Sequence, residues 1–200
     1  MAKDIKVKRA QYIQKNCEIL QEFHFAHPRT KFKIHQIYNS SYYGSPLFNL
    51  FGRECVMLQN SYNVGIRKFF GLPDATHRFY IEKLTGTCHM QSVLIKRFLK
   101  FVDKVKICDK TSFMFKLIKN DGRSVTGHNL RSIRDLVGKN TIDELCPCDA
   151  DTIVYCETPP EQLWKVNLLH ELISVKNEEC FLDNFKLREI NAMIINICLS

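Results

Sequence analysis

Pro46-Leu47-Phe48-Asn49-Leu50-Phe51 opens a stretch that runs to Val102-Asp103-Lys104-Val105, and its reading decides the fold. Within it Leu47, Phe51, Cys55, Leu58, Tyr62, Ile66 and Phe69 return every three or four residues, the single apolar stripe of a helix. Arg53, Arg67 and Lys68 fall off that stripe and are expected to face water or a partner. Gly71 followed by Pro73 stops the helix: glycine accepts a left-handed cap and proline cannot continue the hydrogen-bond ladder. After the loop Asp74-Ala75-Thr76-His77-Arg78 a second run, Gln91 to Val102, repeats the pattern. Its stripe is Leu94, Phe98, Phe101, Val102 and Val105, flanked by Lys96, Arg97, Lys100 and Lys104. Two helices, each with an apolar seam and a basic flank, are the predicted centre of the chain.

Outward from this centre the same period persists. Residues 3–23 and 30–38 read as helices, separated by Ala26-His27-Pro28. Residues 39–46, from Asn39-Ser40 to Ser45-Pro46, form a loop of turn formers. Phe113 to Ile118 is a short apolar piece ended by Asn120-Asp121-Gly122, and Leu130, Ile133, Leu136 and Val137 form a stripe closed by Gly138. Thr141-Ile142-Asp143-Glu144 and Thr158-Pro159-Pro160-Glu161 match the capping box. A helix from Pro159 carries Trp164, Leu168, Leu169, Leu172 and Ile173; a last one near 186–198 carries Leu187, Ile190, Met193, Ile194 and Ile197. The predicted class is mainly α, an irregular helical bundle, with alternation confined to pieces such as Thr152-Ile153-Val154-Tyr155.

The net charge of +8 conceals a polarity. Residues 1–139 hold 25 Lys and Arg against 10 Asp and Glu; residues 140–200 hold 4 against 11. A basic body of this kind attracts polyanions, nucleic acid first among them. The acidic remainder either docks on the basic body or balances it at a distance, and the switch of sign near 140–160 marks a boundary. No apolar window reaches membrane-spanning length, and Met1 to Arg9 has no apolar signal core, so an intracellular, reducing compartment is expected. There the nine cysteines are expected as thiols, since the odd, irregularly spaced set does not read as a disulfide framework.

Several chemistries are excluded. Cys146-Pro147-Cys148 with Cys156, and Cys88-His89, do not make the paired knuckles of a zinc site. Nothing resembles a nucleophile elbow, and isolated histidines such as His35 and His170 read as core or helix-surface residues. There is no Asp-Asp dipeptide and no phosphate-cradling glycine loop; Asp149-Ala150-Asp151 is the one close Asp pair. What remains is basic residues interleaved with aromatics: Arg67-Lys68-Phe69-Phe70, His77-Arg78-Phe79-Tyr80 and Lys96-Arg97-Phe98. Neighbours on a helix diverge, so the rings are expected in the core and the charges outward, gripping phosphates without reading bases.

Six collinear pieces then carry a resemblance. They are Tyr43-Gly44-Ser45-Pro46-Leu47-Phe48, Tyr62-Asn63-Val64-Gly65-Ile66-Arg67-Lys68, Leu72-Pro73-Asp74-Ala75-Thr76-His77-Arg78, Lys96-Arg97-Phe98-Leu99-Lys100-Phe101, Arg123-Ser124-Val125-Thr126-Gly127-His128-Asn129-Leu130, and Trp164-Lys165-Val166-Asn167 with Phe185. The first three are similar to the patterns Y-G-S-x-L-W/F, W-N-x-x-x-R and L-P-x-x-T-H. Together they resemble the C-terminal part of reverse transcriptases from non-LTR (LINE-type, jockey-like) retrotransposons. The resemblance implies thumb-like helices over 1–41 and a post-thumb helical region from Tyr42 onward, which the switch of charge divides into a basic part, 42–139, and an acidic helical tail, 140–200. It implies a fragment of an RNA-directed DNA polymerase, with non-specific RNA or DNA and the polymerase core as partners and no membrane. Fingers, catalytic palm, endonuclease and terminal zinc knuckle are not in the chain, so no catalytic or metal residues are expected. The Mg of the full-length enzyme belongs elsewhere. Arg67, Lys68, Arg78, Lys96, Arg97, Lys100, Arg131 and Arg134 are the expected phosphate contacts, with His77 either structural or a hydrogen-bond donor. The rival expectation is a protein-interaction module or a remnant without function.

Overall fold

Asn49 divides the first long run. Its side-chain oxygen accepts the Phe51 N–H and its carbonyl accepts the Gly52 N–H, so the chain turns before the helix begins. Leu47 therefore lies in a 3-10 turn, Ser45–Leu47, and is 48% exposed, whereas Leu50 is fully buried. The helix begins at Arg53, and from there the predicted stripe holds: Cys55, Leu58, Ile66 and Phe69 are buried.

The computed structural model describes residues 2–39, 44–87, 90–121, 123–153, 163–178 and 184–199. Among them the regular elements are helical, with no strand: α1 (Ala2–Glu22), α2 (Pro28–Asn39), α3 (Arg53–Phe70), α4 (Arg78–Thr85), α5 (Met90–Ile107), α6 (Asp109–Asn120), α7 (Val125–Val137), α8 (Asp149–Thr152), α9 (Leu163–Glu178) and α10 (Asn184–Leu199). The mainly α class expected from the sequence is what the structure has. The capping pattern at 158–161 and Cys88-His89, Cys156 and Cys180 lie outside the described residues.

Three helices, α3, α4 and α7, are followed by a left-handed glycine, at Gly71, Gly86 and Gly138. At Gly71 (φ 63°) the Leu72 N–H reaches the Arg67 carbonyl at 2.8 Å and the Gly71 N–H reaches Lys68 at 3.3 Å, the paired bonds of a Schellman cap. Gly138 (φ 68°) also ends α7 in the left-handed region, with both its own N–H and the Lys139 N–H on the Arg134 carbonyl. The capping box at 141–144 does not form. The Thr141 hydroxyl donates to the Glu144 carboxylate, 2.7 Å away, and Ile142–Glu144 is a 3-10 turn with no side-chain cap on its backbone. The cap that does form at the start of α7 is Ser124, whose hydroxyl accepts the Gly127 N–H at 3.0 Å.

The described chain divides into two compact units. One comprises residues 1–10, 41–60 and 88–155; the other comprises 11–40, 61–87 and 156–200. In the first, α5 is the hub, packed by α6, α8 and the Ser45–Leu47 turn, with α7 against α6. Covering α5 on several sides rotates its buried face from the predicted stripe: Ile95 and Leu99 are buried with Leu94, Phe98 and Val102, while Phe101 is exposed. In the second unit α9 packs on α10 and α4, around Ile66, Phe69, Tyr80, Ile81, Leu169 and Ile194. Each such side chain contributes about 1.5–3 kcal/mol by leaving water. Leu136, Trp164 and Met193, expected in apolar stripes, are exposed.

A buried polar cluster lies at the α1–α2 contact of the second unit. The His35 ring, 1% exposed, receives the Tyr12 hydroxyl on Nε2 and donates from Nδ1 to Asn16 Oδ1 at 2.8 Å. Both ring nitrogens are thus satisfied by a neutral imidazole. Burial holds its pKa down to about 4. Gly65 of α3 faces Asn16, and a Cβ there would lie 2.3 Å from the amide nitrogen.

Candidate nucleic-acid interface

The α5 helix presents its cations by simple periodicity. Ser92, Lys96 and Lys100, four apart, stack along one face, and Val93 and Arg97 form the next column. The opposite side is fixed in the core through Leu94, Ile95, Phe98 and Leu99, so Lys96, Arg97 and Lys100 are turned toward the surface, above a buried Ser92. With Asp151 from α8 these five residues line an open cavity of about 220 Å³. Both carboxylate oxygens of Asp151 accept from Lys96 Nζ, at 2.7 and 2.8 Å. The pair is half exposed, at 41% and 52%, so it contributes about 0–1 kcal/mol. It is cheap to open.

Asp151 belongs to a wider pattern. Asp143 pairs with Lys119, and Asp149 pairs with Lys139 at 2.8 Å. Lys106 Nζ donates to the carbonyls of Asp143 and Leu145. The start of the acidic portion therefore docks on lysines of the first unit rather than balancing them at a distance. Asp149 is buried and also accepts the Cys146 N–H, which makes it a structural anchor. Asp143 and Asp151 remain exposed.

The nine predicted contact residues fall into two sets. Lys96, Arg97, Lys100, Arg131 and Arg134 belong to the first unit; Arg67, Lys68, His77 and Arg78 belong to the second. The cavity brings together Lys96, Arg97 and Lys100. Arg131 and Arg134 are half-buried on α7, and Arg134 forks onto Asp135 Oδ1 at 2.9 and 2.6 Å. In the second unit Lys68 and His77 are exposed and Arg78 is half-buried. Arg67 is engaged: Nε and Nη2 both donate to the Thr76 carbonyl, at 3.1 and 2.6 Å. The Thr76 hydroxyl in turn donates to the Pro73 carbonyl, so the Leu72–His77 loop is locked from inside. Burial lowers the Arg67 pKa, with nearby Asp74 opposing that shift.

One structural residue escaped sequence reasoning. Asn129, fully buried on α7, accepts the Leu50 N–H at 3.1 Å and donates to the Phe48 carbonyl at 2.7 Å. Its signal was an amide four residues before Ile133 on an otherwise apolar face.

The cysteines correct one expectation. Cys146 and Cys148 are joined as a disulfide across Pro147, with Cα atoms 5.5 Å apart, where thiols were expected. Closing so short a loop adds only about 1.6 kcal/mol on the chain-entropy scale, so the bond is no staple for the fold. Their sulfurs and an Asp149 oxygen form the one cluster of metal-donor spacing among the described residues. Lys139 on the same carboxylate opposes a cation, and disulfide sulfurs are poor ligands. Cys55 and Cys198 are buried thiols, and burial pushes Cys55 up to about 11, away from reactivity.

Comparison with family models, with curated proteins and with solved structures finds no match to this chain. No helix among the described residues is long and apolar enough to cross a membrane.

Proposed function

We propose that this chain is a helical, non-catalytic, nucleic-acid-contacting part of a retrotransposon-type RNA-directed DNA polymerase. The lineage rests on the collinear motifs; the biochemical reading rests on the α5 face. The observation that carries it is the open cavity where Lys96, Arg97 and Lys100 converge beside the Ser92 hydroxyl. Flexible cations on a rigid helix neutralise phosphates, and phosphate contacts carry no sequence information. Binding is therefore sequence-independent, at about 10⁻⁴–10⁻⁶ M in physiological salt. The reading places the protein inside the cell.

The test is the salt dependence of single-stranded RNA binding by fluorescence anisotropy. Replacing Arg97 and Lys100 by glutamate removes two phosphate contacts and flattens the slope of log K against log salt by about 1.4. An unchanged slope takes α5 out of the interface.

A second reading, a protein-interaction module or an orphaned remnant, is favoured by a different observation. Phe113 and Leu117, one turn apart on α6, are 65% and 51% exposed, and Ile107 at the end of α5 is 81% exposed.

A further inference from the structure

The acidic segment after α7 has a property that charge balance does not require. Of its exposed carboxylates among the described residues, Asp151 alone lines the α5 cavity. It meets Lys96 with both oxygens, and a phosphate presents the same kind of anionic oxygens to an ammonium that acts as a point charge. The α8 backbone carrying it packs directly on α5, and buried Asp149, two residues earlier, ties that backbone to Lys139. The carboxylate is thus delivered to the cavity by a fixed element, while its own contact is half in water.

We infer that Asp151 is a built-in competitor for phosphate at this site. Nucleic acid displaces it from Lys96 on binding, and the cavity is partly autoinhibited in the free chain. The inference rests on the α5 reading and names its regulation. Because Asp149 holds α8 in place, displacement requires only a side-chain rotation of Asp151. Lys96 then changes partner from carboxylate to phosphate, and its gain is the difference between two ion pairs. Removing the carboxylate converts that difference into a whole contact.

The experiment compares wild type with Asp151→Asn, and with Glu171→Gln as a control carrying the same change of net charge at an exposed site on α9. Single-stranded RNA binding is measured across a salt series, with helical circular dichroism confirming the fold of each variant. Asp151→Asn is expected to tighten binding by about two- to fivefold at low salt, the fold-change equivalent of one exposed ion pair. It is also expected to steepen the salt slope by about 0.7. Adding Lys96→Ala to Asp151→Asn abolishes both gains. A gain no larger than that of Glu171→Gln, or one that survives Lys96→Ala, overturns the competitor role while leaving the α5 interface standing if wild type binds with a steep slope. Binding by Asp151→Asn with none by wild type supports the competitor role outright. Absence of salt-dependent binding in every protein overturns both.

Discussion

At the scale of single residues, buried His35 links the stability of the second unit to pH. Its neutral ring is held by Tyr12 and Asn16 in a site that excludes water. The folded pKa, about 4, lies below the ordinary 6.5, so between these values the unfolded chain binds a proton that the folded chain refuses. The His35 contribution to stability is complete above pH 6.5 and falls as the pH drops toward 4, by about 3 kcal/mol in all. Denaturant midpoints measured from pH 7.5 to 4 check this, and His35→Phe is expected to lose that part of the slope. Position 35 was legible as an isolated histidine of core or surface; that it is a satisfied core residue depended on Tyr12, 23 positions away.

At the scale of elements, contacts between helices rest on a few polar clamps and close approaches. Asn129 joins α7 to the loop before α3 through two buried hydrogen bonds, and Asn129→Ala strands the Leu50 N–H and the Phe48 carbonyl. Each stranded group costs about 1–3 kcal/mol, so a loss of about 2–6 kcal/mol in urea unfolding is expected. Gly65→Ala is a smaller case. Overpacking against Asn16 costs about 1–3 kcal/mol, helix propensity returns about 1, and the net is a loss near 1 kcal/mol. The glycine stops at 71 and 138 were legible because their mechanism is local. The start of α3 was not read correctly, since Asn49 turns the chain where apolar spacing alone continues a helix.

At the scale of the whole molecule, the question is whether the exposed apolar residues of α6 are waiting for a partner. With the α5 interface as the working part, the purified chain is expected to sediment as a monomer at a rate independent of concentration. Self-association relieved by Phe113→Ser with Leu117→Ser would give α6 the leading role and favour the interaction-module reading. The same comparison in high salt separates the readings further, because an apolar contact persists where phosphate binding is screened.

Helical class, most helix positions and the basic character of α5 were determined by the sequence alone, because apolar period, glycine caps and side-chain charge act within a few residues of one another. Tertiary structure decided which charges are already engaged. Arg67 is committed to a carbonyl nine residues on, and Lys96, Lys119 and Lys139 are met by carboxylates 55, 24 and 10 residues away. An ion pair depends on distance in space, and distance in space exists only once α5, α6 and α8 have packed.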